Sequence, residues 1–226
     1  DPQPIKNVTQ QEKLEASREK DIAELKELKE KLLAKTMKAD EPRKIAIITD
    51  SHGMYEPTLA CLEDARRSGI TEMYSLGDNI GLGPNPSEVM DLLDAYHVKS
   101  VIGNHELYAS DEKSIAELGD HFTSYSKKEA EDNSRWTRAH LTAEEIEEIQ
   151  KMPEKIEIVS KTGQKITLVH SAEPYSTTGK YSKAPDIDPQ SQATIEGHKH
   201  FASALHNGII TARAVGIGQE SGQDGV

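Results

Sequence analysis

The sequence predicts an α/β fold in which short parallel strands alternate with helices. An apolar run at 44–49 is typical of a strand buried on both faces, and a second strand pattern follows at 73–76. Between them, residues 57–68 have a helical pattern that ends at Gly69, a common residue type after a helix. Strand, helix and strand in this order favour parallel pairing through right-handed crossovers.

The same alternation continues beyond the second strand. Asn85 and Pro86 suit the N-cap and the first turn of a helix, which we expect to run to about Tyr96. A further apolar run at 98–102 predicts a third strand of the same sheet. The main body of the chain therefore begins with three strands and two intervening helices.

A helical region follows the third strand. Residues 111–151 have a helical pattern, and Thr142 with Glu145 forms a capping-box motif. This region could cover a site as a lid, but ordinary packing is the interpretation that we favour.

Two hairpins are predicted towards the end of the chain. The first joins 156–159 to 165–169, and the second joins 201–206 to 209–214 through an Asn-Gly turn. The polar stretch at 171–196 contains three prolines and predicts a loop.

Residues 1–43 differ in composition from the rest, so we divide the chain into an N-terminal helical extension and a main domain over 44–226. The extension is predicted to be an amphipathic helix because it has a narrow apolar stripe of Leu14, Ile22, Leu25, Leu28, Leu32 and Leu33. The stripe could pack on the main domain or join two copies as a homodimer. The heptads that a coiled coil requires are interrupted at Arg18, Asp21 and Lys35.

The composition argues against several classes of function. The 226 residues carry a formal charge of −12, which disfavours binding of long nucleic acids or anionic membranes. No apolar run reaches about 18 residues, so no membrane span is expected. Cys61 is the single cysteine of the sequence, and a reducing, cytoplasmic location is therefore our expectation.

Five short motifs contain nearly all the residues with metal-binding chemistry. In order they are Asp50-Ser51-His52, Gly77-Asp78-Asn79, Gly103-Asn104-His105-Glu106, His170 and Gly197-His198-Lys199-His200. The first three follow predicted parallel strands, and the carboxyl ends of such strands meet at one edge of a sheet. We therefore expect their side chains to converge although they are distant in the sequence.

The residue types in these motifs indicate two divalent metal ions. Carboxylate, amide and imidazole groups suit Mn²⁺, Fe, Co²⁺, Ni²⁺ or Zn²⁺. Asp78 follows the middle strand, and its two oxygens could bridge a pair of ions, which together clamp a phosphoryl group and activate water. Each motif alone is weak evidence, since a lone histidine such as His170 is more often a hydrogen-bonded structural residue. The histidines without such a context are His97, His121, His140 and His206.

Taken together, the motifs resemble those of the calcineurin-like metallophosphoesterase superfamily. The stretches Leu76 to Pro86 and Trp136-Thr137-Arg138 are similar to its small bacterial phosphodiesterase branch. The resemblance implies an α/β sandwich of two mixed sheets flanked by helices, with the N-terminal amphipathic helix as an addition. Related domains usually continue into a closing strand, which raises the expectation that the main domain lacks its final strand.

The resemblance also implies a role for each motif residue. The ligands would fall into two sets with Asp78 as the bridge: Asp50, His52 and His200 for one metal, and Asn104, His170 and His198 for the other. His105 would not be a ligand but would face the phosphate, where it would stabilise the transition state or protonate the leaving oxygen. Glu106 stands where the family usually has Asp, and it would orient His105.

The implied activity is hydrolysis of a small phosphate mono- or diester, with a diester favoured, by attack of a metal-bridging hydroxide. Mn²⁺ is the expected ion among those that suit the ligands, and the substrate could be a nucleotide. The alternative is a non-catalytic scaffold of the same fold that binds a protein partner. Such scaffolds typically lose the histidine of the Asn-His pair, whereas His105 is present here.

Overall fold

The computed structural model describes residues 43–111, 113–114, 127–160, 163–174 and 183–200, together with the backbone of 204–205 and 210–213. The predicted N-terminal helix and its homodimer lie outside these residues, apart from Arg43, and stay predictions.

The first sheet has three parallel strands in the order β1-β2-β3, and a helix follows each of the first two. The elements along the chain are β1 Ala46–Ile48, α1 Tyr55–Arg67, β2 Met73–Ser75, α2 Pro86–Ala95 and β3 Lys99–Ser100. The predicted alternation and the parallel pairing are confirmed. All three strands are shorter than predicted, at 46–48, 73–75 and 99–100.

Helix α1 begins two residues earlier than the sequence pattern indicates. Its N-cap is Met54, so Pro57 lies in the third position of the first turn. A proline is tolerated there because the first amide groups of a helix have no intrahelical acceptor. The buried side chains Tyr55, Thr58 and Leu62 then form the face that packs towards the sheet.

The second sheet is mixed and has the strand order β4-β5-β6-β8-β7. Its strands are β4 Lys155–Val159, β5 Lys165–Val169, β6 Ala193–Glu196, β7 Ala204–Leu205 and β8 Ile210–Arg213. The antiparallel pairs β4-β5 and β7-β8 confirm the strand pairing of the two predicted hairpins, whereas the predicted Asn-Gly turn of the second lies outside the described residues. Strands β5, β6 and β8 are parallel to one another.

The prediction of a loop over the whole of 171–196 is wrong at its end, where β6 forms the centre of the second sheet. The side chains of Thr194 and Glu196 are the buried ones in this strand, whereas Ala193 and Ile195 are half-buried. Because the buried residues Thr194 and Glu196 are polar, the sequence does not show the apolar pattern of a strand here. Burial is tolerated because Glu196 Oε2 accepts a hydrogen bond from the amide of Ala172 at 2.8 Å.

In the part of the chain that the structure describes, three more helices flank the sheets, namely α3 Asn104–Ser110, α4 Lys127–Ala139 and α5 Ala143–Lys151. The predicted helical region thus begins earlier, directly after β3, and contains two longer helices in its second part. The predicted capping box of α5 is confirmed, since Thr142 Oγ1 accepts from the amide of Glu145 at 3.1 Å and Glu145 Oε2 accepts from that of Thr142 at 2.6 Å. None of the described helices combines the length and the hydropathy that a bilayer-spanning helix needs.

The core between the two sheets fixes their mutual arrangement. Leu76 and Val101, at the ends of first-sheet strands, pack with Ile158 and Leu168 of the second sheet, and three of these four side chains are fully buried. A second core of α1, α2 and the first sheet includes Leu62. The predicted α/β sandwich of two sheets flanked by helices is therefore confirmed, with the first sheet parallel throughout its described strands.

We predict that Thr142→Ala lowers the free energy of unfolding by about 1 kcal/mol, because the cap of α5 loses its side-chain acceptor. Thr142→Ser keeps the hydroxyl and is the matched control, expected to stay within a few tenths of a kcal/mol of the wild type. Urea unfolding followed by circular dichroism measures both. An alanine variant as stable as the serine variant would contradict a stabilising role of the capping box.

Candidate metal centre

Two loops that leave neighbouring strands run side by side at one edge of the first sheet. The amides of Asp50 and His52 donate to the carbonyls of Gly77 and Asp78 at 3.0 and 2.8 Å. These backbone bonds extend the pairing of β1 and β2 beyond the sheet. They bring the first two sequence motifs together, as the strand-end argument predicts.

The backbone of this region is unusual at the residues that carry the chemistry. Left-handed φ angles between 49° and 67° occur at Asp50, His52, Asp78, His198 and His200. Asp and His adopt this region more readily than most residues, but each instance still costs about 1–2 kcal/mol. Strain of this kind is concentrated at functional sites, where the surrounding structure maintains it.

One group of side chains gathers around His170. Its Nε2 lies 2.9 Å from Asn104 Oδ1, 3.1 Å from His198 Nδ1 and 3.4 Å from Asp78 Oδ2. The other ring nitrogen, Nδ1, is 2.8 Å from the carbonyl oxygen of Leu76 and would donate to it. This bond keeps the proton on Nδ1 and leaves the Nε2 lone pair directed at the group, an arrangement common in metal-binding histidines.

A second group forms where the loop after β6 meets the loop after β1. His200 Nε2 lies 3.0 Å from Asp50 Oδ1 and 3.3 Å from His52 Nε2. His52 Nε2 is 4.0 Å from the same Asp50 oxygen. Three potential ligand atoms therefore point at one small volume, and they belong to the residues assigned to one metal on the basis of the family resemblance.

Asp78 lies between the two groups. Its carboxylate forms one set of potential ligand atoms with His170 and His198, and another set with His52 and His105. Within each set, the ligand atoms all lie within 4.8 Å of one another. Oδ1 also accepts from the amide of His105 at 2.9 Å, at the first turn of α3. A single carboxylate thus contacts both halves of the site.

The donor set of this site fits divalent metal ions. Asp50 Oδ1 is buried, and Nε2 of His200 lies 3.0 Å from it in a geometry that does not make a good hydrogen bond. A buried carboxylate oxygen that is poorly satisfied is costly, and a cation removes that cost. The neighbouring nitrogens of His52 and His200 would supply the imidazole ligands that first-row metals favour.

The other oxygen of Asp50 is held in place by two donors. Thr49 Oγ1 donates to Oδ2 at 2.5 Å, and the amide of His198 donates to it at 3.1 Å. Gly197 lies so close that a Cβ at this position would collide with the Thr49 hydroxyl. Sequence reasoning did not single out Thr49 as part of the site, and its only signal was a hydroxyl directly before the first Asp of the motifs.

The electrostatics of the site keep several imidazoles neutral. Burial is the main cause that lowers the pKa of His52 and of His198. Burial also opposes protonation of His170, but the charge of Asp78 and the hydrogen bond to it raise the pKa of His170 to about 9. The neutral imidazole is the form that binds metals, so a cation at this position would replace the proton on His170.

The backbone of His105 is bound to Asp78, and its ring lies beside the second group. Its ring meets the ring of His52 edge-on, with centroids 4.7 Å apart. Burial lowers the pKa of His105 to about 4, against the opposing charge of Asp78. The side chain is therefore a neutral imidazole near pH 7.

Glu106 is placed differently from its expected role of orienting His105. Its carboxylate accepts hydrogen bonds from the amides of Asp78, Asn79 and Gly103 at 2.8, 2.6 and 2.9 Å. Among the described contacts, none joins this carboxylate to the His105 ring. Glu106 instead fastens the loop that carries Asp78 to the start of α3, because a carboxylate can satisfy several backbone donors at once.

A family model, described as the calcineurin-like phosphoesterase superfamily domain, matches residues 44–219. The chain belongs to this superfamily. The predicted superfamily is thereby confirmed, whereas its small bacterial branch stays a prediction. Among the residues that the structure describes, the clusters of Asp and His given above are those that could hold metal ions.

Individual proteins are similar to this chain in sequence or in structure. An uncharacterized protein of Methanocaldococcus jannaschii is 28% identical over 160 residues, which are 70% of this chain and only 62% of that protein's length. A metallophosphoesterase from Sphaerobacter thermophilus is 24% identical, with a TM-score of 0.52 over 80% of this chain and 79% of its own. A hypothetical protein from Pyrococcus horikoshii has a TM-score of 0.59 at 18% identity, over 77% of both chains. The two structures support the fold.

We predict that Thr49→Val lowers the affinity for Mn²⁺ by about 10- to 100-fold, because Asp50 loses the hydroxyl that orients its carboxylate. Thr49→Ser keeps the hydroxyl and is the matched control, with an affinity close to that of the wild type. Calorimetric titration of metal-free protein measures the three dissociation constants. Equal affinities for the valine and serine variants would show that this hydrogen bond does not support a metal ligand.

Proposed function

We propose that this protein is a metal-dependent phosphoesterase that hydrolyses a small phosphate ester, with a phosphodiester as the favoured substrate. The observation that carries the proposal is the position of Asp78, whose carboxylate lies between two separate groups of histidine and carboxylate ligands. Shared carboxylates of this kind are typical of sites that hold two ions a few ångströms apart.

Each metal ion would have its own set of ligands, and Asp78 would be common to both. The sets are Asp50, His52 and His200 on one side, and Asn104, His170 and His198 on the other. When bound, two divalent cations polarise phosphoryl oxygens and lower the pKa of water towards neutrality. Mn²⁺ is the ion that we propose, since borderline-hard oxygen and nitrogen donors suit it.

The protein's own groups would position the ester and stabilise developing charge. A neutral His105 beside His52 is suited to donate a hydrogen bond to the phosphoryl group. Its pKa of about 4 disfavours the alternative role of proton donor to the leaving oxygen, because burial keeps the ring unprotonated near pH 7. Hydrogen-bond donation is therefore the role that we assign to His105.

The first test of this proposal is hydrolysis of bis-p-nitrophenyl phosphate and p-nitrophenyl phosphate by metal-loaded protein, with and without a chelator. Asp78→Asn is expected to lower kcat/KM by at least about 100-fold, since it removes the charge shared by both metal sites. Asp64→Asn makes the same chemical change at an exposed position of α1 and is expected to leave the rate unaltered. Activity that survives both chelation and the loss of Asp78 would exclude the proposal.

A second test separates His105 from the metal ligands. Because His105 is also close to His52 and Asp78, it could in principle bind metal itself. We expect His105→Ala to lower kcat by about 10²- to 10³-fold while metal content and metal affinity stay unchanged. Elemental analysis and steady-state kinetics on the same preparation check both. A loss of bound metal in this variant would make His105 a ligand and contradict the role assigned to it.

A further inference from the structure

Lys199 is a charged residue in the segment that carries two proposed ligands, and the proposed reaction does not use it. It lies between His198 and His200, which belong to different ligand groups, and its Nζ is 2.6 Å from Glu173 Oε2. In the whole sequence it is the one Lys or Arg directly adjacent to a proposed metal ligand. Glu173 follows His170 by three residues. The ion pair therefore joins the loop after β5, which carries His170, to the loop after β6, which carries His198 and His200.

The backbone fixes where the Lys199 side chain begins. His198 and His200 both have left-handed φ angles, of 67° and 51°, and the amide of Lys199 donates to the carbonyl of Gly197 at 2.8 Å. The amide of His198 is in turn bound to Asp50. The α-carbon of Lys199 is therefore held within one residue of each ligand group, while its flexible stem leaves the ammonium free to change partners.

The ion pair itself is of a kind that an incoming anion can replace. The side chains of Lys199 and Glu173 are 28% and 64% exposed, and ion pairs at this exposure contribute only about 0.2–1 kcal/mol. The chain as a whole has a formal charge of −12, which repels anions at a distance. An ammonium on the segment that carries His198 and His200 would offset that repulsion for a substrate with more than one negative group.

We propose that Lys199 is a specificity-determining residue that binds a second anionic group of the substrate, with Glu173 as the counterion that it leaves. The substrate class is then a phosphate ester that carries a further phosphate or carboxylate. This inference deepens the proposed function and rests on it, because the scissile phosphate is taken to lie at the metal ligands.

Substitutions of Lys199 and of Glu173 should change the affinity for such a ligand in opposite directions. Removing the charge of Lys199 takes away the binding group, whereas removing that of Glu173 takes away its competitor. A merely structural ion pair would instead respond in the same direction to both substitutions, through a loss of stability. The sign of the two effects therefore separates the roles.

The test is calorimetric binding of alkylphosphonates to the full chain loaded with Mn²⁺. Phosphonates resist hydrolysis, so the readout does not depend on turnover. Propylphosphonate carries no second anionic group, 3-phosphonopropionate adds a carboxylate, and propane-1,3-diphosphonate adds a second phosphonate. The variants are Lys199→Gln and Glu173→Gln. The matched controls are Lys165→Gln and Asp188→Asn, from an ion pair of the same 2.6 Å length that involves the opposite end of β5.

The wild type is expected to prefer one or both doubly anionic ligands over propylphosphonate. Lys199→Gln should reduce that preference by about fivefold, and Glu173→Gln should increase it, with propylphosphonate and the controls unchanged. The ligand with the larger effect identifies the second group as carboxylate or phosphate. An unaltered preference in Lys199→Gln, or shifts of the same sign in both variants, would overturn the inference. Charge-dependent binding in a protein that hydrolyses no ester would contradict the proposed function alone.

Discussion

The structure of the site depends on how one buried carboxylate, that of Asp78, is compensated. Burial alone would raise its pKa, but the neighbouring His170 and His105 keep the pKa well below its usual range, so the group is an anion. A buried anion requires cations or donors around it. The amide of His105, the ring of His170 and, in our proposal, two metal ions provide them, which explains why elements from both sheets converge on this one side chain.

The surrounding backbone serves the same requirement. Glu106 accepts from the consecutive amides of Asp78 and Asn79, and the loop after β1 is hydrogen-bonded along the loop that carries them. Left-handed conformations occur at five proposed ligands, and three of these, Asp50, His52 and Asp78, lie within this hydrogen-bonded region. Close approach also restricts the residue type, since a Cβ at Gly103 would collide with Asp78. Fold stability and site geometry are therefore coupled at the strand ends.

Much of this arrangement could be predicted from the sequence, for identifiable reasons. Asp50, Asp78 and Asn104 converge because each follows a strand of one parallel sheet, and apolar runs reveal such strands. Strand β6 was missed because its buried side chains, Thr194 and Glu196, are polar and their hydrogen bonds are visible only in three dimensions. The contacts of Glu106 with backbone amides, and the support of Asp50 by Thr49, likewise depend on tertiary placement that residue types do not encode.

The account as a whole requires two metal ions that share Asp78. Anomalous diffraction at the manganese absorption edge, from crystals grown with Mn²⁺, measures this directly. We predict two anomalous peaks about 3.5–4 Å apart, with the Asp78 carboxylate between them. One peak near His170 and one near His200 would assign the ligand sets. A single peak, or peaks remote from Asp78, would contradict the shared-carboxylate arrangement on which the proposed function is built.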